Sequence, residues 1–149
     1  MGDFDFLVGD WQVANRRLTE RLVGSTDWAE FPGTSTAWSL FDGRANIDTF
    51  AFPSQGWSGM TVRLFDPRRE EWSLYWASSR DGVLGPPVVG RFVDGRGEFY
   101  GDDTHEGTPV RVRYIWSEIT PTSARWEQAF SVDGGRSWEI NWVMALSRA

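Results

Sequence analysis

Turn signals interrupt this chain at short intervals and leave little room for helices. Asp42-Gly43, Asp66-Pro67, Asp81-Gly82, Asp94-Gly95, Gly101-Asp102 and Asp133-Gly134-Gly135 separate segments whose apolar residues alternate with polar ones. Alternation is the period of a strand with one buried face, and turns at such spacing mark an all-β sandwich or barrel. The pattern predicts about ten antiparallel strands over 9–22, 28–40, 44–52, 59–65, 72–79, 88–93, 97–101, 109–117, 124–131 and 138–147. A chain of 149 residues, 40% of them hydrophobic, is long enough to bury one core without staples, so a single domain over 1–149 is expected.

Hairpin register can be read from the turns, because a slip of one residue exchanges the two faces of a strand. About Glu118-Ile119-Thr120-Pro121-Thr122, setting Tyr114 opposite Trp126 places Val112 opposite Gln128 and Val110 opposite Phe130, with Arg113 and Glu127 behind. Through the next turn Trp126 is expected opposite Trp142, Gln128 opposite Ile140 and Phe130 opposite Trp138, which leaves Arg113, Glu127 and Asn141 as a polar row on the outer face. About the segment from Asp66 to Glu71, Leu64 is set against Trp72, Val62 against Leu74 and Met60 against Trp76, with Thr61, Arg63, Ser73 and Tyr75 behind. Burying each large aromatic side chain is worth roughly 2 to 3 kcal/mol. An exposed Arg113–Glu127 pair is worth about 0 to 1 kcal/mol, so the aromatic face is expected inside. An interior holding so many indoles is expected to be largely filled, with any cavity small or flat.

Composition closes off several chemistries. The chain has no cysteine, which excludes disulfides, thiolate nucleophiles and cysteine-ligated zinc or iron–sulfur sites. All 15 basic residues are arginines, so Schiff-base chemistry at a lysine is excluded as well. A net charge of −6 argues against a nucleic-acid partner, whose affinity comes from counterions released at a basic surface. Met1-Gly2-Asp3 carries no basic leader, and no apolar run approaches the roughly 18 residues that span a bilayer. A soluble cytoplasmic protein without a membrane partner is expected.

Both ends of the chain carry a resemblance. Phe4-Asp5-Phe6-Leu7-Val8-Gly9-Asp10-Trp11, a Gly-x-Trp entry to the first strand, and an arginine near the end of the last, Arg148, resemble the calycins, which include the lipocalins and fatty-acid-binding proteins. The resemblance implies an up-and-down barrel whose floor is plugged by a short helical turn over 4–8. It also implies that Trp11 packs inward and that Arg148 covers its indole. With the Ser131-Val132-Asp133-Gly134-Gly135-Arg136-Ser137-Trp138 turn and the closing Asn141-Trp142-Val143-Met144-Ala145-Leu146-Ser147-Arg148, the chain also looks like the DUF1579-like calycin family of small bacterial proteins, which has no assigned activity.

The turn from Ser131 to Trp138 matches the Asp-box pattern S-x-D-x-G-x-[ST]-W. In sialidases and other propellers that motif is a hairpin turn stitched by its Asp and Ser side chains. It occurs once here, and several blades of about 40 to 50 residues do not fit this length, so the motif is read as structural. His105, the one histidine, falls in an acidic stretch expected to be a loop, where a metal site is a weak reading beside a plain surface histidine. Nitrobindin-type haem binding is disfavoured, because Val13-Ala14-Asn15 follows Trp11 where that family has a glycine-rich signature. Neither a nucleophile elbow nor a metal or other cofactor is indicated.

Parity points instead to a ligand site inside the barrel. Trp76, Trp116, Trp126 and Trp142 are expected to contact a planar apolar molecule, with Tyr114 and Gln128 as hydrogen-bonding groups. Arg17 shares the parity of Trp11 and Asn15, so it either faces in, where it suits an anionic head group, or marks the point where the strand leaves the barrel. Three functions follow. The first is a container for a small, mainly apolar or aromatic ligand. The second is a cofactor-free enzyme of cyclase or isomerase type, with Tyr114, Gln128 or Arg17 polarising the ligand in the same pocket. The third is a filled barrel acting through its surface as a dimer, invited by unpaired strand edges. A void of about 300 Å³ or more with convergent polar groups favours the first two.

Overall fold

Where apolar residues alternate between turn signals the chain forms strands, and each strand pairs with the next. The computed structural model describes residues 2–149. It contains β1 (Gly9–Leu18), β2 (Trp28–Leu40), β3 (Ala45–Phe52), β4 (Trp57–Asp66), β5 (Glu71–Ser78), β6 (Val88–Val93), β7 (Arg96–His105), β8 (Thr108–Ser117), β9 (Ser123–Ser131) and β10 (Glu139–Arg148). Antiparallel pairing of β1 with β10 closes the barrel. Closure leaves no strand edge open, so the edge-based reason for a dimer does not hold. No helix among the described residues is long and apolar enough to cross a membrane.

The floor is built as the calycin resemblance implies. A single 3-10 turn, Asp5–Leu7, sets Phe4 edge-on to Trp72 at 4.9 Å and to Phe92 at 5.1 Å. Trp11 is buried and its indole N–H donates to the Leu7 carbonyl at 2.8 Å. The Arg148 guanidinium lies 3.9 Å from the centre of the Trp11 ring. It also donates to the carbonyls of Val8 and Phe6 at 2.6 and 2.7 Å. One arginine thus stacks on the floor tryptophan and holds the plug.

Turn chemistry moves several registers from those expected. Gly101-Asp102 is not a turn: it lies inside β7, and the chain reverses at Glu106-Gly107, both at positive φ. Between β8 and β9, Thr120 N–H donates to the Ser123 carbonyl at 2.8 Å, which centres the turn later than expected. Tyr114 therefore pairs with Gln128 and Trp116 with Trp126. That shift of two residues preserves the faces. Between β9 and β10 a bulge between Ile140 and Trp142 sets Trp142 opposite Gln128. The bulge reverses the parity before it, so Trp138 does not face Phe130 inside; it packs against the outward-facing Tyr100 and Arg113. Asn141 leaves the outer polar row and is fully buried.

The largest correction is at β4. Asp66 caps its turn by accepting the N–H groups of Arg68 and Arg69, and Glu70 closes it at φ 52°. The resulting pairing is Phe65 with Trp72, Arg63 with Leu74 and Thr61 with Trp76. This is one residue from the expected register. Arg63 and Thr61 go inside, while Met60 and Leu64 are exposed. The inward Asn46 and Asp48 of β3 make that tolerable, because they meet the buried guanidinium.

Candidate ligand site in the barrel interior

Inward positions of β3, β4, β5, β8, β9 and β10 surround a cavity of about 30 Å³. Trp76, Trp116, Trp126, Trp142, Tyr114 and Gln128 all line it, joined by Phe50, Thr61, Arg63, Leu74 and Met144. The volume is far below the roughly 300 Å³ of an ordinary ligand pocket. It is room for about two water molecules. The aromatic rings fill the rest: Tyr114 and Trp126 centroids are 5.1 Å apart, Trp126 and Trp142 5.4 Å, and Trp76 and Trp142 6.0 Å. These are edge-to-face contacts, the favoured arrangement for aromatic quadrupoles.

On the floor side the wall is polar but charge-matched. Arg63 donates to Asp48 at 2.6 Å and to Asn46 at 2.8 Å. Its guanidinium stands 4.9 Å from the Phe4 ring and 5.7 Å from Trp116. Both Arg63 and Asp48 are almost wholly buried, and such a pair persists only where hydrogen bonds satisfy what solvent would have held. Asp48 spends its second oxygen on the Thr61 N–H at 3.0 Å. Burial, with the Asp103 charge next, pushes the Tyr114 phenol well above its ordinary pKa, so it remains a protonated donor. Gln128 is already committed, donating to Asn141 at 2.9 Å.

Arg17 does not line the cavity. It stands behind Trp142, its guanidinium 4.4 Å from that ring and 5.5 Å from Trp57, while Arg80 covers Trp57 at 3.9 Å. β1 pairs regularly through Leu18, with Arg17 opposite both Ala29 and Trp142, so the strand neither bulges nor departs before this residue. Burial and the charges of Arg21 and Arg80 lower the Arg17 pKa to about 10, which leaves it cationic at neutral pH. The mouth is therefore a cation-rich rim over two indoles.

His105 ends β7 rather than sitting in a loop; its ring packs 5.6 Å from Phe130, and it borders an open groove of about 540 Å³ at the mouth. Among the described residues no group of three or more His, Asp or Glu side chains gathers as for a metal ion. The Asp-box turn is stitched as a structural motif: Asp133 accepts from the Ser137 hydroxyl at 2.5 Å and from the N–H groups of Arg136 and Ser137.

Sequence parity missed Phe50, Thr61, Arg63 and Met144. The signal for two of them was available. Trp57 and Phe65, at the two ends of β4, share the parity of Thr61 and Arg63, and Phe50 and Phe52 share that of Asn46 and Asp48.

No family model matches the chain, and no curated protein matches it. A solved structure, the S-type phycobiliprotein lyase CPES from Guillardia theta, is similar with a TM-score of 0.62, at 10% identity, over 98% of this chain and 90% of that one. The fold is calycin-like. At that identity the likeness shows the fold alone.

Proposed function

We propose that this barrel binds a small, flat, mainly apolar or aromatic molecule among its interior indoles, as a cytoplasmic member of the family of unassigned activity that its motifs resemble. The observation that carries this reading is the aromatic-walled cavity in an otherwise filled barrel, lined by Trp76, Trp116, Trp126 and Trp142. Its small volume sets the mode of entry: a ligand displaces side chains, and the ones nearest the mouth are Trp76 and Trp142. Arg17, cationic behind Trp142, receives an anionic substituent at the rim. That a protein of the same fold is a phycobiliprotein lyase supports keeping catalysis in the same interior as an alternative, with Tyr114, Gln128 or Arg17 polarising the ligand.

A second reading has its own observation. Trp38, Ile47, Val62 and Tyr75 are directly paired across β2 to β5 and face outward beside the exposed Leu40, Met60 and Leu64. An apolar outer face of this kind suits a filled barrel that acts as a dimer. The two readings separate in a ligand panel. With fatty acids, polyaromatic metabolites and haem, the container reading expects a change in tryptophan fluorescence. It also expects a rise in stability of about 2.7 kcal/mol at a hundredfold excess over Kd. A panel without either response leaves the surface reading in its place.

A further inference from the structure

We propose that the interior cavity seats one neutral hydrogen-bond acceptor, a carbonyl oxygen carried on a flat aromatic ligand and received by the indole N–H of Trp116 and the Nε–H of Arg63. The inference deepens the container reading and rests on it. Trp116 and Arg63 both line the cavity, and each is 2% exposed. Yet the Trp116 Nε1 and the Arg63 Nε have no hydrogen-bond partner among the described residues, and both are closed off by their neighbours, so an acceptor reaches them as the lining side chains give way. Buried donors of this kind carry the full cost of lost solvation until an acceptor reaches them. Arg63 commits its two terminal nitrogens to Asp48 and Asn46, which fixes the guanidinium and leaves the Nε–H over.

Charge selects the acceptor. Among the described residues Arg63 is the only cation lining the cavity, and Asp48 already matches it at 2.6 Å. A ligand carboxylate seated there would put a second anion on one guanidinium in a desolvated site, a costly burial. A carbonyl oxygen has two lone pairs and no charge, so it takes both N–H groups without that cost. The hydroxyls of Tyr114 and Thr61, also in the lining, are further donors, and the Tyr114 hydroxyl keeps its proton. Aromatic walls on several sides make the body that carries the carbonyl planar. A cavity of about 30 Å³ is the starting space that a carbonyl group enlarges as it reaches the two donors, with the ring lying toward the mouth where Trp76 and Trp142 give way.

Acetophenone and its hydrocarbon isostere α-methylstyrene, which replaces the carbonyl oxygen with a methylene group, test this on the full chain, together with benzoate. Titration of tryptophan fluorescence in the wild type and in Trp116→Phe gives the affinities. Losing one hydrogen bond should weaken acetophenone about fivefold or more, while α-methylstyrene and benzoate change less than about twofold. A readout that needs no folded variant is the indole region of a nitrogen–proton correlation spectrum of the wild type. There the Trp116 N–H signal should move downfield with acetophenone and stay put with α-methylstyrene. Equal weakening of ketone and hydrocarbon, an unmoved Trp116 signal, or a stronger effect on benzoate than on acetophenone overturns the carbonyl site and leaves the container reading standing. Binding of none of the three overturns both.

Discussion

Arg63 lies inside the barrel because two neighbouring side chains of β3 face the same way, and this shows what a hydrophobic pattern can and cannot reveal about single residues. Met60, Val62 and Leu64 looked like a buried face and Arg63 like an exposed one, but Asp48 and Asn46 supply the partners that make the guanidinium tolerable within. Patterning ranks side chains by transfer energy; it does not register that a charge on one strand is matched on the next. Trp76, Tyr114, Trp116, Trp126 and Trp142 were legible because no polar partner competes with the burial of their rings. Asp133 sits in the turn between β9 and β10. Hydrogen bonds from the Ser137 hydroxyl, the Ser137 N–H and the Ser131 hydroxyl hold its carboxyl well below the ordinary range. The unfolded chain then binds more protons than the fold in the window below the ordinary aspartate value of about 3.9, so this contribution is complete above that value and is lost as pH falls through the window. In urea unfolding, the stability gap between the wild type and Asp133→Asn should therefore narrow from pH 6 to pH 3. A gap that stays constant would show that the turn does not favour the charged carboxylate.

At the scale of elements, strand number and order followed from turn spacing, whereas register depended on details of each turn. The capped turn after Asp66, the late turn at Thr120 to Ser123 and the bulge before Trp142 each moved a pairing by one or two residues, and none of these devices has a sharp sequence signature. Where a shift was even, as between β8 and β9, the faces survived; where it was odd, as at β4, they exchanged. Gly59 shows how close the packing is. A Cβ there would stand 2.2 Å from the Trp76 ring, so glycine is what lets that indole lie against β4. The floor is the element most open to a stability test. Arg148 stacks on Trp11 and donates to the plug carbonyls of Phe6 and Val8, contacts worth together about 1 to 3 kcal/mol for a partly exposed group. Ending the chain after Leu146 should lower the melting temperature accordingly, and Arg148→Ala should reproduce most of that loss. An unchanged melting curve for both would mean that the plug holds without its cover.

For the whole molecule, closure removes the edges that would have driven association and leaves two candidate working surfaces, the indole-walled interior and the apolar outer face of β2 to β5. The wall is thinnest between β5 and β6, where the strands pair directly only from Trp72 to Leu74. Trp76 lies just beyond this short seam, on the mouth side. Beyond the seam the β5 edge is held by the Gly85 N–H, which donates to the Trp76 carbonyl at 2.9 Å, and by the Ala77–Leu84 bridge, so a ligand that displaces Trp76 moves its side chain and leaves the backbone in place. Native mass spectrometry of the protein purified from its own cells shows whether the interior is a container that opens. A fraction of the chain should carry a small molecule that is shed at collision energies below those that unfold the barrel. The bare polypeptide mass in every charge state under gentle conditions, accompanied by a dimer, would contradict it.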